Sequence, residues 1–124
     1  MGKRKILVIE DDRAVSGLLV HLIEGQGYDV QAAYDGLEGL GKTKTFGPDL
    51  IILDINMPRM DGWQLIETLK SSPKTSSIPV IMCTDRSQMK DIEQSLSLGA
   101  AGYIMKPFNT ERVISKIAEV LGPR

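Results

Sequence analysis

The polar side chains with the most chemical potential in this 124-residue chain stand where short apolar runs stop. Glu10, Asp11 and Asp12 follow Ile6-Leu7-Val8-Ile9, and Asp54 follows Leu50-Ile51-Ile52-Leu53. Thr84 follows Val80-Ile81-Met82-Cys83, and Lys106 follows Tyr103-Ile104-Met105. Carboxylates brought close together repel and raise one another's pKa, so such a group needs positive charge. Lys106 supplies one charge, and a dication bound by oxygen supplies the rest. A few carboxylates that leave positions open for water and phosphate suit Mg²⁺ (or Mn²⁺) better than a closed Ca²⁺ cage. With His21 the lone histidine and Cys83 the lone cysteine, no zinc ligand set is present. A carboxylate is also a known phosphoryl nucleophile. Phosphoryl transfer depends more on charge neutralisation and alignment than on acid–base work, and the Thr84 hydroxyl can hydrogen-bond a phosphoryl oxygen. Taken singly, each residue has a plainer reading: an acidic pair as a helix cap, Asp54 or Thr84 as a turn residue, Lys106 as a surface lysine. Their joint placement at four strand ends is what argues for chemistry.

The elements that must position them can be read from apolar spacing. Strands are expected at Ile6–Ile9, Val30–Ala33, Leu50–Leu53, Val80–Cys83 and Tyr103–Met105, each an apolar run of strand length. Helical stripes appear at Val15, Leu18, Leu19, Leu22 and Ile23; at Leu65, Ile66 and Leu69; at Met89, Ile92 and Leu96; and at Val113, Ile114, Ile117 and Leu121. Asp35 with Glu38, and Asp61 with Gln64, have capping-box spacing. Gly27, Gly99 and Gly122 stand where a helix end wants a left-handed residue. A further helix from about Gly36 to Phe46 carries Gly36, Gly39 and Gly41, each costing about 1 kcal/mol against alanine inside a helix, and is expected to be the softest of the five. Five strands alternating with five helices predict an α/β fold with a parallel sheet covered on both faces. Right-handed crossovers leave a few doubly wound orders. All C-terminal strand ends of such a sheet lie on one edge, where ligands bind. The acids, Thr84 and Lys106 should therefore converge.

Length and composition set bounds. The chain fits one domain, residues 1–124, with no repeat, low-complexity tract or linker; Ser71 to Ser77 reads as an ordinary polar loop. Its net charge of −1 gives no reason to expect direct binding to nucleic acid or to an anionic membrane. No apolar run reaches the ~18 residues of a membrane span, so membrane insertion is not expected. The N-terminus lacks a secretory pattern. Cys83 excludes an internal disulfide and reads as a small buried hydrophobe. Together these features point to the cytoplasm.

Four stretches carry a resemblance: Ile6 to Asp12; Asp49 to Pro58 with Asp61-Gly62; Pro79 to Thr84; and Gly99 to Phe108. In order and spacing, over almost the whole chain, they resemble response-regulator receiver domains of two-component signalling, chemotaxis receivers among them. The resemblance implies a (βα)5 flavodoxin-like three-layer sandwich with sheet order 2-1-3-4-5, which puts Asp54 at the end of the central strand. It implies Asp54 as the phosphoacceptor and Asp11, Asp54 and the Asn56 backbone carbonyl as metal ligands, with Glu10 acting nearby through metal-bound water. Lys106 would pair with the phosphoryl group, Thr84 would be the switch hydroxyl, and the Tyr103 rotamer would follow it. Asp12, one place beyond the acidic pair of the family, reads as a helix-start residue. The Lys106–Pro107 bond is usually cis in the family. Asn56 and Arg86 occupy places that tune the lifetime of the phosphoryl group.

The implied cycle starts from a phosphohistidine on a sensor histidine kinase or histidine phosphotransfer protein, docked near the first helix. Asp54 is phosphorylated, Thr84 and Tyr103 move, and the face of helix 4, strand 5 and helix 5 changes shape for a downstream target or a detached output domain. The domain would then be no enzyme in the ordinary sense, catalysing only its own phosphotransfer and dephosphorylation. One departure stands out: Asp85 occupies a place that is generally small in the family. It either crowds the phosphoryl site or, as the preferred reading has it, points outward. The alternative resting on Asp85 is a pseudo-receiver that signals without phosphorylation. A haloacid-dehalogenase-type phosphatase would need an acid at position 56, where Asn stands, and a flavin protein would need a phosphate-cradling loop where Glu10-Asp11-Asp12 would repel phosphate. Because the sequence stops soon after the fifth helix, it is read either as a stand-alone regulator or as a piece of a larger protein.

Overall fold

The computed structural model describes residues 2–85 and 88–122. Strands β1 (Lys5–Ile9), β2 (Asp29–Ala33), β3 (Leu50–Leu53), β4 (Val80–Thr84) and β5 (Gly102–Met105) alternate with helices α1 (Arg13–Glu24), α2 (Gly36–Phe46), α3 (Gly62–Lys70), α4 (Met89–Ser97) and α5 (Thr110–Leu121). All strand pairs are parallel, in the order β2-β1-β3-β4-β5. This is the doubly wound, flavodoxin-like arrangement expected from the sequence.

The strands show little polar alternation because both faces are buried. Ile6, Val8, Ile52, Ile81 and Ile104 point into a core shared with Leu19, Ile23, Val113 and Ile117 of α1 and α5. Leu7, Ile9, Leu53 and Met82 point to the other side, against Leu65, Ile66 and Leu69 of α3, with Leu40 of α2 and Ile92 of α4 at the margin.

The helix starts follow the sequence signals. Asp12 caps α1 by accepting from the backbone N–H groups of Ala14 and Val15. Asp61 and Gln64 form a full capping box. At α2, Asp35 accepts from the Glu38 N–H, but the Glu38 carboxylate reaches past the cap to the Tyr34 N–H. Two glycines allow close approaches. A Cβ at Gly39 would lie 2.6 Å from Ile9 Cδ1, and one at Gly62 would lie 2.2 Å from the Asp54 carbonyl oxygen.

Two helical stripes depart from expectation. In α4, Met89 and Leu96 are exposed, while Asp91 and Ser95 are the buried residues. Ile92 alone of the stripe packs on the core, beside a polar contact in which Trp63 Nε1 donates to Ser95 Oγ at 3.0 Å, so the apolar spacing marks the inner face at one position only. In α1, Leu18 is likewise exposed, because the inner face runs through Ser16, Leu19 and Ile23. Among the described residues, no helix is long and apolar enough to cross a membrane.

Candidate functional site

The strands end on the same edge, and after β1, β3 and β5 the backbone ladder continues one rung further onto a polar residue. Glu10 N–H donates to Ala33 O at 3.0 Å, Asp54 N–H to Ile9 O at 3.1 Å, and Lys106 N–H to Thr84 O at 2.8 Å. The sheet itself therefore fixes where these residues start. The N-terminus of α3 closes on the same place, with Gly62 N–H donating to Ile55 O at 2.8 Å.

Glu10, Asp11 and Asp54 bring carboxylate oxygens within 4.8 Å of one another. Lys106 Nζ lies 2.5 Å from Glu10 Oε1 and 3.1 Å from Asp54 Oδ2. Glu10 and Asp54 are buried, at 2% and 6% exposure, whereas Asp11 is exposed and opens the cluster to solvent. The second Glu10 oxygen accepts from the Asp12 N–H at 3.1 Å. Burial outweighs the Lys106 hydrogen bond and pushes the Glu10 carboxyl up to about 6, with the Asp54 charge adding to the rise. Burial works against the Lys106 charge too, but hydrogen bonding and attraction from Glu10 and Asp54 win and hold its pKa above the ordinary lysine value. At Cys83, burial pushes the thiol up to about 12.

Three carboxylates against one ammonium leave negative charge unbalanced, and all the donors are hard oxygens. The set fits a small oxygen-seeking dication such as Mg²⁺. Asn56 follows two residues after Asp54 and donates its backbone N–H to Asp54 Oδ1 at 3.3 Å. Thr84 is the last residue of β4 and fully buried. Tyr103 stands on β5 opposite Met82, also buried. The Lys106–Pro107 bond is cis, as the resemblance implies. Arg86 lies outside the described residues.

Asp85 is exposed, as expected of an outward residue, yet it does not leave the site. Its Oδ1 accepts from the Asn56 side-chain amide at 3.3 Å, tying the β4–α4 loop to the β3–α3 loop. A second cross-loop contact joins Arg59, whose φ is +69°, to the α2 cap Asp35. Neither pairing has a sequence signal, since each depends on loop conformation rather than on spacing.

A family model described as the response regulator receiver domain matches residues 6–118. The DNA-binding dual master transcriptional regulator RpaA of a Synechocystis strain is 38% identical over 117 residues, covering 94% of this chain and 48% of that protein. The alkaline phosphatase synthesis transcriptional regulatory protein PhoP of Bacillus subtilis is 36% identical, covering 95% of this chain and 48% of its own. This chain thus spans about half the length of these curated relatives. The solved structure of the Vibrio cholerae chemotaxis protein CheY4 superposes with a TM-score of 0.91 at 29% identity, covering 97% of this chain and 100% of that one.

Proposed function

The chain belongs to the response regulator receiver domain family of two-component signalling, and on that premise we propose that it accepts a phosphoryl group from a phosphohistidine onto Asp54. The observation that carries this reading is the position of Lys106 Nζ between Glu10 and Asp54, at the base of a three-carboxylate cluster open at Asp11.

Asp54 presents a carboxylate oxygen for in-line attack at phosphorus. Its backbone is held by the Ile9 carbonyl and by the close approach of Gly62, so the nucleophile cannot retreat as charge builds. Lys106 pairs with the incoming phosphoryl oxygens, exchanging part of its contact with Asp54 for them. Thr84 places its hydroxyl beside the phosphoryl group from the end of β4, and Tyr103 follows into the space this frees. Asp11, Asp54 and the Asn56 carbonyl would hold Mg²⁺ (or Mn²⁺), with Glu10 acting through water. When bound, the ion supplies the positive charge that lets an anionic donor approach three carboxylates.

The reading implies a sensor kinase or histidine phosphotransfer protein as donor, and with it a cytoplasmic setting, where such donors are made from ATP. Residues 1–124 act as one receiver unit and catalyse only their own phosphotransfer and dephosphorylation. RpaA is named as DNA-binding and PhoP as a transcriptional regulator. For this domain, the net charge of −1 supports output through protein contacts at α4, β5 and α5 rather than through its own contact with DNA. The change is a population shift driven by local charge.

Beryllofluoride with Mg²⁺ tests the reading, followed by fluorescence of Trp63 in the first turn of α3. Wild type responds and Asp54→Ala does not; an equal response in both proteins rules out Asp54 as the acceptor.

A further inference from the structure

Asn56 joins two carboxylates. Its backbone N–H donates to Asp54 Oδ1 and its side-chain amide donates to Asp85 Oδ1, both at 3.3 Å. Asp85 is exposed and directly follows Thr84. With Asp12, Lys106 and Phe108 it lines an opening of roughly 460 Å³. Lys106 is already turned inward onto Glu10 and Asp54. An anion that approaches Lys106 through this opening therefore does so beside the Asp85 charge. The amide that holds Asp85 is neutral, so it keeps the carboxylate at this opening without cancelling its charge.

We infer that Asp85, anchored over the site by Asn56, is a specificity-determining residue that selects against small, highly charged phosphodonors. The inference rests on the reading of Asp54 as acceptor. A phosphoryl group carried on the imidazole of a protein brings less negative charge to the mouth than a free acyl phosphate does, so the barrier falls mainly on small donors. Two probes separate charge from size. With acetyl phosphate, a dianion at neutral pH, an Asp54 oxygen bonds to phosphorus, the P–O bond to the acetyl group breaks, and acetate leaves. With phosphoramidate, a net monoanion that already carries its proton on nitrogen, the P–N bond breaks and ammonia leaves.

Phosphorylation rates are measured at saturating Mg²⁺ for wild type, Asp85→Asn and Asp85→Ala. At low ionic strength, both variants react with acetyl phosphate roughly 3- to 10-fold faster than wild type, the size expected from removing one unit charge several ångströms from a dianion near a surface. The gain with phosphoramidate is smaller, and both gains shrink in about 0.5 M salt. An unchanged or slower rate with acetyl phosphate overturns the inference. So does a gain confined to Asp85→Ala, or one equal for both donors and indifferent to salt, since either marks bulk rather than charge. If neither wild type nor the variants take up a phosphoryl group, the acceptor reading itself falls. If wild type reacts and the variants match it, only the role of Asp85 falls.

Discussion

Replacing Lys106 with methionine keeps most of the side-chain stem and removes the charge that holds two buried carboxylates together. In the wild type, Nζ lies 2.5 Å from Glu10 and 3.1 Å from Asp54. Removing one partner of a buried ionic group costs about 3–5 kcal/mol, because the remaining charges are left uncompensated. An independent route gives a similar size. Glu10 and Asp54 carboxylate oxygens within 4.8 Å repel by about 3.5 kcal/mol at an effective dielectric of ~20. The cheapest relief is a proton on Glu10, whose pKa is already raised to about 6 and rises further without Lys106. The sign follows from linkage. A carboxyl whose folded pKa exceeds its unfolded value of 4.5 binds more protons folded than unfolded, so stability falls as pH rises through that window. In Lys106→Met the window reaches higher than in wild type. The deficit relative to wild type is therefore larger near pH 8 than near pH 6, narrowing by at most about 1.4 kcal/mol per pH unit on the way down, and flattens below. Urea unfolding of both proteins, followed by Trp63 fluorescence across this range, reads the difference directly. Equal stability near pH 8, or a gap that ignores pH, would refute the reasoning.

Other outcomes follow from the same geometry. Gly62→Ala places a Cβ 2.2 Å from the Asp54 carbonyl oxygen and 2.8 Å from Ile55 Cα, so it lowers stability by about 1–3 kcal/mol or more in urea titration and slows phosphorylation by displacing the β3 end. Mg²⁺ affinity, read by Trp63 fluorescence, falls in wild type as pH drops below about 6 and Glu10 takes up a proton; Glu10→Gln flattens that dependence. The Cys83 thiol, pushed up to about 12 by burial, reacts with a disulfide reagent only on unfolding, so labelling and urea unfolding share one midpoint.

Much of this fold was legible because its strands are buried on both sides. Runs such as Ile6–Ile9 and Leu50–Leu53 have strand rather than helix length, and the polar residues that follow them share one sheet edge by topology alone. Caps were equally readable at Asp12 and Asp61, where a short side chain meets a helix start. The inner face of α4 was not. Met89, Ile92 and Leu96 have helical spacing, but packing against Trp63 and burial of Asp91 and Ser95 decide its rotation, and those are tertiary facts. Sequence position marked Glu10, Asp11, Asp54 and Lys106, which the fold brings together, and Thr84 at the end of β4. The Asn56–Asp85 bridge stayed hidden because two loops of unrelated spacing have to meet before it exists. The unusual acid at position 85 marked the place without revealing what it touches. The pseudo-receiver alternative rests on that acid alone, and every other expected group is present in the chain.

Borohydride reduction of protein treated with acetyl phosphate and Mg²⁺ addresses the central claim most directly, because it converts an acyl phosphate on aspartate to homoserine that peptide mass spectrometry can locate. The account predicts homoserine at position 54, dependent on Mg²⁺ and lost in Lys106→Met or greatly reduced there. Conversion at Asp11, Asp12 or Asp85 instead, or none at any position under conditions where Mg²⁺ binds, would contradict it.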